Sequence, residues 1–228
     1  MSDSITIEGG IRIALRRSAR ARRMTLRVPR AGGDAVLTLP HHVTLSEGRA
    51  FAERQRDWLL RATSRQQVAQ TVIPGAVIPI EGQGLTITPS QVRAVTVQGP
   101  SLLIPYAKPV GVVVQAFLKH LAHDRLRRAC DDYSAALGRP YTVLALRDTR
   151  SRWGSCNSEG RLMFSWRLAM APPVVLRYVA AHEVAHLAHM DHSPRFWAQV
   201  GRLMPDYRPQ RDWLRQNGSA LQAWRFRD

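Results

Sequence analysis

Along residues 4–40 apolar and polar positions alternate with the period of β-strands. The runs are Ile5-Thr6-Ile7, Ile11-Arg12-Ile13, Met24-Thr25-Leu26-Arg27-Val28 and Val36-Leu37-Thr38-Leu39. Gly32-Gly33-Asp34 predicts a hairpin turn between the last two. Arginines at alternate positions then occupy a solvated sheet face. Thr44 and Glu47 have the spacing of a capping box and predict a helix with Phe51, Trp58, Leu59 and Ala62 on one side. Residues 73–105 return to short strands, punctuated by Pro74-Gly75, Gly82, Gly84, Pro89 and Gly99-Pro100. Pro109 opens a long helix to about Leu137, stopped by Gly138 and Pro140. Residues 141–146 read as a strand, and 152–156 with 161–168 as a hairpin around Asn157-Ser158-Glu159-Gly160. Pro172-Pro173 opens a helix that is apolar nearly all round, through Val175, Leu176, Val179, Ala180, Val184 and Leu187, as a core helix is. It is expected to end near Met190-Asp191. Ser193-Pro194 then reads as N-cap and first position of another helix, through Phe196, Trp197, Val200 and Leu203. The pattern predicts an α+β protein, with a β-rich domain carrying one helix over 1–105 and a second domain over 106–228.

The core helix carries polar residues that do not belong to a core: His182, Glu183 and His186. Residues four apart lie on one side of a helix, ~6 Å along its axis, so both imidazoles can face one ion. Zinc favours imidazole nitrogen at ~2.0–2.1 Å, and catalytic sites combine three protein ligands with a water whose pKa falls to roughly 7. Glu183, next to the first ligand, is placed to take that water's proton. The chain therefore reads as a hydrolase using one zinc.

The third ligand has several candidates. Glu183 is the last glutamate, so a later glutamate is ruled out and only Asp206 or Asp212 could stand in for it. His189 lies on the ligand face but ~10 Å along the axis from His182. His192 falls in the corner between two helices and is the better fit. His189 is expected nearby, behind the ligands or at the cleft rim. The adjacent pair His41-His42 points apart on a strand end, and His120 with His123 fits a solvated helix face.

Charge adds one more element. The chain has 228 residues and a net charge of +16, and of its 33 basic residues only Lys108 and Lys119 are lysine. Eight arginines fall between Arg12 and Arg30. Such charge favours polyanions, so non-specific nucleic-acid contact is expected, salt-sensitive and blind to sequence. No zinc-finger, helix-turn-helix or RNA-binding signature accompanies it. No run approaches a membrane span and no signal peptide is evident. Cys130 and Cys156 give no disulfide framework, so a cytoplasmic protein is expected. Oligomeric state is left open.

Several motifs together resemble the YgjP-like metallopeptidase family: Arg152-Trp153-Gly154-Ser155-Cys156, Trp166-Arg167-Leu168, Ala171-Pro172-Pro173, His182-Glu183-x-x-His186-Leu187, His192-Ser193-x-x-Phe196-Trp197 and Met204-Pro205-Asp206-Tyr207. These are bacterial metal-dependent hydrolases related to SprT-like and WLM-type zinc proteases. The resemblance implies a zincin-like domain, zinc on His182, His186 and His192, Glu183 as general base and a protein or peptide substrate. The related proteases act on proteins attached to DNA, which by analogy gives the basic charge a meaning. The three histidines also share the spacing of metzincins, but His189 stands where those carry glycine, against a metzincin-style turn. A peptide is expected to add as a strand to the hairpin edge, with Gly154 allowing close approach. Tyr207, His189 and Arg152 are the candidates for stabilising the oxyanion. Trp153 and Cys156 are expected to pack under the helix. Two rival readings are a zinc hydrolase of a non-peptide amide or ester, and a DNA-associated protein with a closed, structural zinc site.

Overall fold

The computed structural model describes residues 3–29, 32–64, 68–106, 109–149 and 151–226. It forms two compact units, residues 1–69 and 70–228.

In the first unit, strands β1 (Ser4–Ile7), β2 (Ile11–Ser18), β3 (Thr25–Arg27) and β4 (Ala35–Pro40) form a sheet in the order β1-β2-β4-β3. β3 and β4 pair antiparallel, as the hairpin reading requires, and β2 runs parallel to β4. The expected turn lies in the connection, of which residues 30 and 31 are outside the described residues. Paired residues share a face, so the register sorts the sheet. Ile13, Ala35, Leu37 and Leu39 are buried with Ile7, Ile11, Ala52 and Leu59. The opposite face carries Arg12 and Arg16 on β2 and Arg27 on β3, spaced by Ala14, Val36, Thr38 and Thr25.

The capping box is present. The Thr44 N–H donates to Glu47 Oε2 at 2.8 Å, and Glu47 N–H donates to Thr44 Oγ1 at 3.3 Å. The single helix expected here is two, α1 (Leu45–Arg54) and α2 (Arg56–Ser64), separated at Gln55. The interruption changes the angular register, so Leu59 is buried while Trp58 is exposed.

The second unit begins earlier than the 105/106 division read from the sequence. β6 (Val77–Ile80), β7 (Gln83–Ser90), β8 (Thr96–Gln98) and β9 (Ser101–Pro105) form a sheet in the order β6-β7-β9-β8. Its apolar face (Ile78, Ile80, Leu85, Ile87, Leu102, Ile104) shares one core with Val114, Leu118 and Ala122 of the long helix α3 (Val110–Leu137). α3 ends as expected, at Gly138 in the left-handed conformation (φ 69°). His120 and His123 are exposed on it.

Strands β10 (Val143–Arg147), β11 (Gly154–Cys156) and β12 (Arg161–Ser165) follow in the order β10-β12-β11. β11 and β12 are the expected hairpin, and β11 lies at the edge. A 3-10 helix (Trp166–Met170) leads to α4 (Pro173–Ala185), then α5 (Pro194–Leu203) and α6 (Tyr207–Gln222). α4 is largely buried from Val175 onward, with Arg177 and His182 partly exposed, in keeping with its apolar composition. Two-residue strands β5 (Gln70–Thr71) and β13 (Trp224–Arg225) pair in parallel. No helix among the described residues is long and apolar enough to cross a membrane. Cys130 and Cys156 are both free.

Arg167 ties the end of the chain to this core. Only 3 % exposed, it holds Asp148 through Nε (2.7 Å) and Nη2 (3.3 Å). Its Nη1 donates to the carbonyls of Leu221 and Trp224, both at 3.0 Å. The guanidinium also lies 4.7 Å over the Trp166 ring. Arg167→Met keeps the apolar stem and strands two carbonyls, for an expected loss of about 2–3 kcal/mol. Asp148, partly exposed, adds less than a buried partner would. The check is a lower denaturant midpoint at unchanged m-value.

Candidate metal centre

α4 delivers His182 and Glu183 in its last turn, and His186 is its C-cap residue. The helix thus stops four to five residues before the expected end. Bonds from Leu187 N–H to Val184 O and from Ala188 N–H to Ala185 O tighten the exit into turns. Two carbonyls there are met by side chains: Arg139 Nη1 donates to Leu187 O at 2.8 Å, and His186 Nδ1 donates to His189 O at 2.9 Å.

The next corner is set by local chemistry. Asp191 Oδ1 accepts from Ser193 N–H (3.2 Å), and Ser193 Oγ caps α5 by accepting from Phe196 N–H (3.4 Å), with Pro194 first in the helix. This folds His192 back. Its Nε2 comes 3.2 Å from His182 Nε2, and ligand nitrogens of His182, His186 and His192 all lie within 4.8 Å of one another. His189 is not in the group; it contributes its backbone carbonyl. Asp206 and Asp212 are not in it either, and Asp212 sits 3.6 Å from Arg215. Among the described residues no other such cluster exists.

Phe196, fully buried, is a floor that the sequence placed only on the helix after His192 and within the shared motif. Its ring stacks on His186 at 4.4 Å and meets His182 and His192 edge-on at 4.9 Å each. The available signal was its spacing, four residues after His192 and inside the helix that His192 precedes.

These residues fit a metal ion. His186 donates from Nδ1 to a carbonyl, so its lone pair is on Nε2. Burial, then the neighbouring imidazoles and Arg211, push His182 down to about 3, leaving it a neutral ligand. Two nitrogens on one tetrahedral ion at 2.0–2.1 Å stand about 3.4 Å apart, close to the 3.2 Å between His192 and His182. His182 Nδ1 is buried without a partner. Among the described residues no fourth ligand joins the group: the Cys156 thiol donates to Asn157 O at 3.4 Å, and burial, then Glu183, push it up to about 11.

Glu183 is 5 % exposed. Burial pushes its carboxyl up to about 8, and Arg152 opposes this. A cation on the three imidazoles would oppose it further. β11 crosses directly over the carboxylate. A Cβ at Gly154 would lie 2.5 Å from Glu183 Oε1 and 2.7 Å from its Cδ, so the close approach this glycine permits is to Glu183. Gly154→Ala is expected to keep metal and fold but displace the carboxylate, lowering turnover about 10²-fold. Metal analysis beside initial rates checks it. Trp153 packs on Gly218 of α6, where a Cβ would fall 2.9 Å from its ring.

Tyr207, at the start of α6, stacks on Trp197 at 5.5 Å and on Tyr178 at 6.3 Å, beside His182. Arg152 is exposed, with its charge felt at Glu183. Arg211 lies 4.4 Å over the Trp197 ring.

A sequence model of a family described as YgjP-like, metallopeptidase domain, matches residues 22–217, well over half of the chain. Among solved structures, one described as the crystal structure of the metallopeptidase zymogen of Pyrococcus abyssi abylysin is 22 % identical, with 42 % of this chain and 92 % of that chain covered and a TM-score of 0.34. No curated protein matches the chain.

Proposed function

The chain belongs to the YgjP-like metallopeptidase family, and from this premise we propose that it is a zinc-dependent peptidase with a zincin-like site built on α4 and the β11–β12 hairpin. The observation that carries the proposal is the convergence of three imidazole nitrogens within 4.8 Å, with Glu183 following the first of them in the chain and its carboxylate under Gly154. His182, His186 and His192 would hold one zinc. Bound there, zinc supplies Lewis acidity toward a carbonyl oxygen and acidifies water.

The remaining work falls to the protein. An extended peptide lies along the free edge of β11, adding a strand by main-chain hydrogen bonds. The face of β11 at Gly154 lies over Glu183, so a peptide paired along the adjoining edge passes close to the carboxylate. Glu183 accepts a proton from the attacking water and passes it to the leaving nitrogen. Arg152 favours its ionised form. Tyr207 and Arg152 are the candidates for steadying the oxyanion; His189 is a weaker one, because its contribution here is a carbonyl. On the first unit, the arginine face of Arg12, Arg16 and Arg27 supports non-specific contact with nucleic acid, bringing the peptidase to bound proteins.

The test is cleavage of a peptide library and of an unstructured basic protein, with and without DNA. Purified protein is expected to carry about one zinc per chain, to lose activity on chelation and to regain it with added zinc. DNA stimulation that fades with salt would support the arginine face. Zinc-loaded protein that cleaves esters or small amides but no peptide would overturn the peptidase reading.

A further inference from the structure

Beside the three imidazoles lies a cavity of about 460 Å³ lined by Trp197, Tyr207, Arg208, Arg211 and Asp212. Its aromatic wall is shared with the metal centre: the Trp197 ring is 5.6 Å from that of His182 and 6.0 Å from that of His192. The volume suits one or two side chains of a bound peptide. We propose that this cavity is a subsite for a substrate carboxylate, with Arg211 as the recognising group and Trp197 as its platform. The inference rests on the peptidase reading and names the substrate class of that same site: chains with an acidic side chain, or a free C-terminus, near the scissile bond.

Charge and geometry carry the proposal together. Among the described residues neither Arg208 nor Arg211 is ion-paired, and the one acid in the lining, Asp212, is drawn to Arg215 at 3.6 Å. Two cations therefore line the cavity with a single carboxylate, Asp212, which is shared with Arg215, and the lining keeps a net positive charge. The Arg211 guanidinium lies 4.4 Å over the Trp197 ring, a contact that restrains it beside the cavity. A planar, oriented fork of N–H groups matches a carboxylate bidentately. A neutral amide in the same place offers one acceptor and no charge. Tyr207, stacked on Trp197 at 5.5 Å, holds the platform in place. Lysine side chains on a substrate would meet two arginines and be disfavoured.

The experiment uses internally quenched peptides that differ only in Glu, Gln or Lys at each position flanking the bond, each with a free or an amidated C-terminus. Wild-type protein is expected to prefer Glu over Gln about 10-fold in kcat/KM at one position, or the free over the amidated end, mainly through KM. Those two arms separate side-chain from terminal carboxylate. Arg211→Glu should erase or invert the preference, and Arg211→Lys should restore part of it. Arg93→Glu, the same charge change on an exposed loop residue, should leave the ratio as in wild type. Equal rates for Glu and Gln peptides together with equal rates for free and amidated ends in wild type, or a preference that survives Arg211→Glu, would overturn the subsite. Peptide binding to Glu183→Gln, followed by fluorescence polarisation, reads the subsite without turnover. Tighter binding of the acidic peptide, abolished by adding Arg211→Glu, supports it even where no peptide is cleaved and the peptidase reading has failed. Equal binding of acidic and neutral peptides overturns it.

Discussion

Glu183→Gln protein, purified with full metal content, turns peptide over about 10²–10⁴-fold more slowly than wild type, the usual span of general acid–base catalysis. The substitution is isosteric, so it respects the space left by Gly154, which a bulkier residue could not. It removes the lone acceptor of a proton and nothing else. Stability gives an independent reading. Burial disfavours the Glu183 charge, so a neutral amide relieves a desolvation penalty and thermal unfolding should occur at or above the wild-type temperature. A variant with normal rates would mean that another group takes the proton. A variant that lost its metal would mean that Glu183 has been misassigned as a non-ligand.

His192→Ala protein loses its metal, whereas His189→Ala keeps it. Removing His192 leaves two imidazoles on one helix end, and affinity should fall well beyond the 10–100-fold that an outer partner contributes. His189 contributes its carbonyl to His186, and alanine retains a carbonyl. Its ring stands outside the group of three. Chelator competition with metal analysis separates the two variants. The opposite order of metal retention would replace His192 by His189 in the ligand set.

What could be read before the structure was what neighbours in the chain decide. The Thr44 and Glu47 cap, the stop at Gly138 and the corner at Ser193-Pro194 are all written within a few residues. His192 could be favoured over His189 because the corner that turns it inward is such a local signal. The end of α4 was misjudged because its tightening depends on Arg139, 48 residues from the carbonyl it caps. The domain division was misplaced because prolines punctuate 68–75 and 105–109 alike, and only the shared core of the β6–β9 sheet with α3 distinguishes them. α6 has weak sequence signals and was not anticipated. The meeting of Gly154 with Glu183, the floor made by Phe196 and the placement of Arg211 on Trp197 join segments distant in the chain, which no periodicity encodes.

The pairing of β5 with β13, secured by Arg167 on the carbonyls of Leu221 and Trp224, joins the first residues of the second unit to residues past 220. During synthesis this seam cannot close until nearly the whole unit has left the ribosome, because so distant a contact forms only after everything between has been made. The three imidazoles and Glu183 therefore emerge before the last contact of their unit can form.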